Sequence, residues 1–363
     1  MSAPHEHGGN IFAIARSLGL PPEAILDFSA SINPLGMAPG VASALAASLP
    51  NLLHYPDKGA VELKERIASY HGLAPEEVAV GNGSTELIHL LPRLVAGAGK
   101  RALIVAPAFA EYAAALERAG WEIEYFHLTK EDGFALDAAR LKERLALGYD
   151  LLFLCNPANP TGILTPAETI WDVIRLCRAS GTFLALDEAF MDFCEEASAK
   201  ELVRGVPNVL LLRSMTKFFA IPGLRLGYAL GAAETIASLA ALQDPWSVNT
   251  AAQVAGVASL ADEDYRTRTR KLVAGERAFL AGELARYPQL RVYPGAANYL
   301  LAEILSGGTA KDLRGYLMPR GILIRDCANF EGLDGRFFRV AVRLREENLK
   351  LLEGIGTFLS KRY

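Results

Sequence analysis

Lys217 stands in RSMTKFFAIPGLRLGY (213–228), just past an apolar run, with Ser214, Thr216 and Arg225 close by in the chain. Two hydroxyls and a guanidinium form a set that can hold an anion. A neighbouring cation and an apolar setting lower the pKa of an amine, which makes it a nucleophile towards an aldehyde. Asp187 closes the apolar run of FLALDEAF (183–190). A carboxylate in a dry strand end can keep an aromatic ring nitrogen protonated, so that the ring draws electrons from a bound carbon. NPANPTG (156–162) presents Asn159 in a turn stiffened by prolines. GNGST (81–85) places Ser84 and Thr85 where a glycine-rich turn opens a helix, a seat suited to a phosphate. Each feature has an ordinary structural explanation by itself: a surface lysine, a loop-capping aspartate, a proline turn, a tight turn. Their joint occurrence is what points to a site.

The elements that must carry these residues follow from the apolar pattern. Between about residues 75 and 250, short apolar runs alternate with longer amphipathic stretches. VAV (78–80), ALIVAP (102–107), LLFLCNP (151–157), FLALDEAF (183–190), VLLLRS (209–214) and LGYALG (226–231) are the runs. Such runs, bounded by Gly, Pro or Asn, read as strands buried on both faces. With helices between them they predict β-α-β units and a mostly parallel central sheet in a large α/β/α domain. Ligands in such sheets sit beyond the carboxyl ends of the strands, where GNGST, NPANPTG, DEAF and SMTK all fall. Past residue 255 the texture becomes that of a small α+β unit. The expected organisation is an N-terminal segment, 1–45, packing on the small domain; a large domain, 46–255; and a small C-terminal domain, 256–363.

Composition narrows the function further. The 363 residues are 51% hydrophobic and 21% charged, with a net charge of −4, and no basic stripe suited to nucleic acid is present. No run approaches the ~20 apolar residues of a membrane span. Cys155, Cys177, Cys194 and Cys327 lie far apart with no metal-ligand spacing, which predicts reduced buried thiols, no metal and a cytoplasmic setting.

Taken in order, these segments resemble the fold-type-I pyridoxal-phosphate enzymes of the class I/II aminotransferase superfamily, over nearly the whole chain. The resemblance implies that Lys217 binds the cofactor aldehyde covalently, that Asp187 pairs with the ring nitrogen and that Asn159 bonds the ring oxygen. Phe109, in PAFAEY, matches the aromatic that stacks on the ring. Ser84, Thr85, Ser214, Thr216 and Arg225 match the phosphate-holding set. Tyr55, in HYPD, matches a tyrosine that reaches the phosphate in the partner subunit, so a homodimer with a shared site is implied. Arg339, in FFRVAVR, matches the arginine that takes the substrate carboxylate. The family usually reads D-E-A-Y; here the last position is Phe190, which has no hydroxyl for the ring oxygen.

Within that superfamily, two subfamilies share the motifs. The HYPD, PxFxxY and GLRLGY segments fit histidinol-phosphate aminotransferases. HGGN (7–10), DFSASINPLG (27–36), DEAFMDF, PWSVN (245–249) and CANFEGLDGRFFRVAVR (327–343) resemble threonine-phosphate decarboxylases more closely. The latter resemblance implies decarboxylation of L-threonine O-3-phosphate to an aminopropanol phosphate for cobalamin synthesis; the alternative is an aminotransferase acting on a compound such as histidinol phosphate. A phosphorylated amino acid needs cations and donors beyond those that hold the cofactor. His7, Ser31, Asn33, Asn159, Arg325, Arg339 and Arg343 are the candidates, with carboxylate and phosphate not apportioned among the three arginines.

Overall fold

The structure is a computed structural model, and it describes residues 8–95 and 99–360. Thirteen strands are numbered here in chain order. They are β1 (Leu26–Asp27), β2 (Val78–Asn82), β3 (Arg101–Ala106), β4 (Glu122–His127), β5 (Leu151–Cys155), β6 (Phe183–Asp187) and β7 (Val209–Ser214). The rest are β8 (Leu226–Gly231), β9 (Leu290–Val292), β10 (Tyr299–Ile304), β11 (Ile322–Leu323), β12 (Arg325–Asp326) and β13 (Phe337–Ala341). Seven form one sheet in the order β2-β8-β7-β6-β5-β3-β4. It is parallel apart from β8, which runs antiparallel to both β2 and β7.

The apolar runs become strands because both faces of this sheet are covered. In β7, Val209 and Leu211 enter one buried cluster, while Leu210 and Leu212 enter a second cluster on the opposite face. That is the period of two of an extended chain, with no solvent face to interrupt the apolar sequence. The same rule explains the strand that an apolar-run criterion passes over. β4 pairs only with β3, and its residues Glu122 and His127 are exposed, so its sequence, EIEYFH, is half polar. An edge strand with charged residues is protected from further pairing and is less conspicuous for the same reason.

A second, antiparallel sheet runs β12-β13-β10-β9 and packs against the helices Glu263–Leu284, Ala310–Leu317 and Arg345–Ser360. The start of the chain is tied to this part: Leu26 pairs with Ile322 in a parallel β1–β11 ladder, and Phe28 is fully buried in the same core. Two boundaries drawn from sequence texture cut through elements. The helix Pro39–Ser48, most of it within residues 1–45, packs on the helix Thr250–Ala261, with Val41 in the large-sheet core. Residue 255 falls inside the Thr250–Ala261 helix itself. No helix among the described residues is long and apolar enough to cross a membrane.

Behind the carboxyl ends of β6 and β7 lies a buried ionic cluster. Arg213, fully buried, donates to Glu188 Oε2 at 3.0 Å, Glu195 Oε2 at 2.7 Å and Ser198 Oγ at 2.8 Å. Three carboxylates surround it, Asp192 being the third. A buried charge is tolerated only with such pairing, and removing one partner costs about 3–5 kcal/mol. His71, also buried, hydrogen-bonds Tyr228 through Nε2 at 2.8 Å and approaches Glu195 through Nδ1 at 3.7 Å. Burial, then the positive charges of Arg213 and Lys200, push its pKa down to about 3 against the pull of Glu195.

A histidine held neutral in the fold favours the folded state above its unfolded pKa of 6.5. The unfolded chain then gains the extra proton as pH falls, so that stability is lost between about pH 6.5 and 3. Urea unfolding should therefore show His71 costing about 2 kcal/mol between pH 6.5 and 5. His71→Gln should flatten the pH dependence over that window; parallel curves for the two proteins would show that His71 is not held neutral.

Candidate active site

At the carboxyl ends of the parallel strands, between the two sheets, lies a cavity of about 620 Å³. Thr85, Phe109, Asn159, Phe190 and Lys217 line it from the loops and helix starts that follow β2, β3, β5, β6 and β7. Asp27, Ser29, Ser31, Arg325, Phe330 and Arg339 close it from the other side, with Gly8, Gly9, Ile11 and Phe12 at the chain start.

Lys217 sits on the single helical turn Met215–Phe218 after β7 and donates from Nζ to Thr216 Oγ1 at 3.0 Å. Burial and the nearby Arg225 and Arg339 lower its pKa to about 8, opposed by Asp187. At pH 7 roughly a tenth of such an amine is neutral, several hundred times the share of an ordinary lysine. Asp187, 3% exposed at the end of β6, accepts from the Tyr112 hydroxyl through Oδ2 at 2.6 Å and from the Ala189 N–H through Oδ1 at 2.8 Å. Burial pushes its pKa up, while those two bonds and Lys217 pull it down. Asn159 Oδ1 accepts from Arg339 Nη1, which leaves the Asn159 NH₂ to donate elsewhere.

The glycine-rich turn is built by close approach. The Ser214–Gly227 pair joins β7 to β8, and a Cβ on Gly227 would land on the Ser84 backbone nitrogen. Gly83, at φ +76°, opens the helix Gly83–Leu94, and a Cβ there would meet Arg225 Nη2 at 2.6 Å. Ser84, Thr85, Ser214, Thr216 and Arg225 thus converge on one helix N-terminus, where backbone N–H groups and the helix dipole favour a phosphate. Ser214 Oγ and Thr216 Oγ1 lie 2.8 Å apart. Thr85, Phe109, Asn159 and Lys217 line the cavity, and Asp187, Ser84, Ser214, Thr216 and Arg225 lie close behind that lining; together a phosphate seat, a depressed amine, a buried carboxylate and an aromatic ring fit pyridoxal phosphate.

Tyr55 is not in this cavity. It is 79% exposed, stacks on Trp246 at 4.7 Å and lines a separate groove with Asn51 and His54. Phe190 does line the cavity and packs edge-on to Tyr299 at 4.9 Å, whose hydroxyl donates to the Ala158 carbonyl.

The substrate candidates separate. Ser31 is 2% exposed, lines the cavity and has an Oγ without a hydrogen-bond partner. Arg325 and Arg339 are Cα partners across the β12–β13 ladder and both line the cavity. Arg339 Nη2 also donates to the Ser29 carbonyl at 3.1 Å, and Arg325 Nη2 to Asn329 Oδ1 at 2.6 Å. Two expectations are corrected. Asn33 does not line the cavity: its Nδ2 lies within 2.8–2.9 Å of the Phe218 carbonyl, Tyr265 Oη and Thr269 Oγ1, and its N–H bonds the Lys217 carbonyl at 3.0 Å. It braces the Lys217 turn from behind. Arg343 does not line the cavity either; it pairs with Glu347 at 2.6 Å and donates to the Asp27 carbonyl at 3.3 Å. β13 ends at Ala341, and the chain turns towards the Arg345–Ser360 helix before Arg343 can share the face of Arg339. His7 lies outside the described residues.

Sequence reasoning missed Tyr112, three residues after Phe109 on the helix Glu111–Arg118. It also missed Asp27 and Ser29, which flank the buried Phe28 in the DFSASINPLG segment. The one available signal was the alternation of polar Asp27 and Ser29 about an apolar residue, the period of an extended chain with one face on a core.

Residues 23–355 match the family described as aminotransferase class I and II. The chain is 41% identical to the threonine-phosphate decarboxylase of Salmonella typhimurium over 98% of this chain and 96% of that one. It is 37% identical to the histidinol-phosphate aminotransferase of Roseiflexus castenholzii over 94% and 91%. The crystal structure of L-threonine-O-3-phosphate decarboxylase from Porphyromonas gingivalis superposes with a TM-score of 0.80 at 27% identity, covering 92% of this chain and 99% of that one. With a cofactor seat at the strand ends and these similarities along its length, the chain belongs to the pyridoxal-phosphate-dependent class I and II aminotransferase family.

Proposed function

We propose that this chain decarboxylates L-threonine O-3-phosphate to (R)-1-aminopropan-2-ol O-phosphate, as its similarity to a threonine-phosphate decarboxylase suggests. The observation that carries the reading is the placement of Arg325 and Arg339 as Cα partners on one wall of the cavity that holds Lys217. Two guanidiniums on one wall of the cavity suit a substrate that carries both a carboxylate and a phosphate, and the unpaired Ser31 hydroxyl adds a donor.

Ser84, Thr85, Ser214, Thr216, Arg225 and Lys217 would hold pyridoxal phosphate, which would supply an electron sink for the pair released when a bond at the substrate α-carbon breaks. The protein's part is to decide which bond that is. Anchoring the substrate's two anionic groups on Arg325 and Arg339 would fix how the carboxylate is presented for cleavage. Its C–C bond then breaks, CO₂ leaves, and a proton returns to the same carbon. Lys217, with a pKa near 8, can hold and return that proton near neutral pH. Asn159 is braced by Arg339, so substrate binding and ring contact share one side chain. Phe190 contributes shape and no hydroxyl, leaving the Asn159 amide as the donor the resemblance assigns to the ring oxygen.

The proposal extends to the assembly. Tyr55 and its neighbours Leu52, Leu53 and Trp246 are exposed large side chains, and a second copy of the chain covering them would carry Tyr55 to its partner's phosphate seat. The four unpaired, buried cysteines suit a reducing cytoplasm.

Purified protein with pyridoxal phosphate and L-threonine O-3-phosphate should release CO₂ with no oxo-acid acceptor present. Turnover seen only with histidinol phosphate and 2-oxoglutarate would reassign the chain as an aminotransferase. Arg339→Met should lower kcat/KM by about 100-fold or more, and Arg343→Met by no more than a few-fold, because only the first reaches the cavity; equal losses would return Arg343 to the site. The rate at which cofactor-free protein takes up pyridoxal phosphate covalently should rise with pH through about 8. A midpoint near 10.5 would mean that the amine is not depressed.

A further inference from the structure

Behind the proposed cofactor seat, Tyr112 makes a bond that filling space does not require. Its ring is 1% exposed, stacks on Phe153 at 4.7 Å and meets Phe109 edge-on at 5.9 Å. Phenylalanine would fill that space equally well without a polar atom to satisfy. The hydroxyl instead donates to Asp187 Oδ2 at 2.6 Å, while the Ala189 N–H takes the other oxygen. The two donors come from different elements, a helix and the loop after β6, and each takes its own carboxylate oxygen, so together they fix the rotation of the carboxylate as well as its position.

The charge state of Asp187 depends on the same bond. A carboxylate out of water tends to take up a proton, and a neutral carboxyl cannot stabilise a protonated ring nitrogen. Among the described residues, four titratable side chains interact with Asp187: Cys155, Lys217, Tyr112 and Tyr299, the last kept a neutral phenol by burial. Cys155, its strand partner on β5, stays a neutral thiol because burial raises its pKa. Lys217 contributes its charge. Tyr112 is kept protonated by burial and by Asp187 itself, and so remains a donor at any ordinary pH. Hydrogen bonds to the charged form are what hold a buried carboxylate ionised.

We propose that Tyr112 is a positioning residue for the cofactor, which through its hydrogen bond keeps Asp187 ionised and aimed at the ring nitrogen. The proposal rests on the pyridoxal-phosphate reading of the site. Cofactor-free wild type and Tyr112→Phe are titrated with pyridoxal phosphate, and the visible absorbance of the bound cofactor is followed against pH. The dissociation constant should rise about tenfold in the variant, the loss of one hydrogen bond to a charged group, and the absorbance titration should shift. In an Asp187→Asn background the same substitution should have almost no further effect on affinity, since the charge it serves is gone. An unchanged affinity and absorbance in Tyr112→Phe overturns the proposal. So does an equal loss in the Asp187→Asn background, which marks a packing role. A wild-type protein that binds no pyridoxal phosphate overturns the cofactor reading and this proposal together, so the two failures are told apart by the first titration.

Discussion

The Asp187 carboxylate and the Lys217 amine are each held where water would ordinarily be needed to keep them charged, and the rest of the molecule is arranged around that constraint. Burial raises the pKa of the first and lowers that of the second, so each drifts towards its neutral form. For the carboxylate, the drift is checked by donors fixed in place, Tyr112 and the Ala189 N–H. For the lysine it is left partly unchecked, and that leaves the amine reactive. Adjacent parallel strands, β6 and β7, deliver both groups to one edge of the sheet. Their sequences are therefore apolar until the strand end, where Asp187 closes β6 and Arg213 and Ser214 close β7.

The period of two along a strand divides the work. Asp187 and Glu188 are consecutive, as are Arg213 and Ser214, yet they serve different places. Asp187 and Ser214 belong to the proposed cofactor seat, while Glu188 and Arg213 meet in the buried ionic cluster behind it. That cluster joins β6, β7 and the segment Met191–Ala197 through one guanidinium. Such a network adds little net stability compared with an apolar core, but breaking it is costly. Its effect here is to hold two strand ends in fixed relation, and those ends carry the groups proposed to react.

The second sheet supplies the arginines proposed to select a substrate, and it does so from strands only a few residues long. Arg325 lies on the two-residue β12, directly opposite Arg339 on β13. Arg339 also bonds Asn159 and the Ser29 carbonyl, so one side chain touches the β5 loop, the chain start and the cavity. Phe28 anchors that chain start in the core of the small sheet, and its neighbours Asp27 and Ser29 face the cavity as a result.

Sequence alone determined the parts that are local. An apolar run bounded by glycine or proline forms a buried strand wherever it is placed, and the polar residue after it lands at the strand end. Lys217, Asp187, Asn159 and the Gly83–Ser84 turn were legible for that reason. β4 was less so, because an edge strand alternates with solvent and loses the apolar signature. Tertiary structure decided what depends on where a chain turns and what packs behind it. Arg343 has the spacing to share a face with Arg339, but β13 ends two residues earlier and the side chain turns to Glu347. Asn33 has the chemistry of a ligand, but it is used up bracing the Lys217 turn through contacts up to 236 residues away in sequence. The sequence alone assigns Tyr112 no role, and only its approach across 75 residues to Asp187 gives its hydroxyl a task. Spacing along the chain fixes which side chains share a strand face; which of them still has an unsatisfied polar atom in the cavity is settled by the partners that folding brings to it.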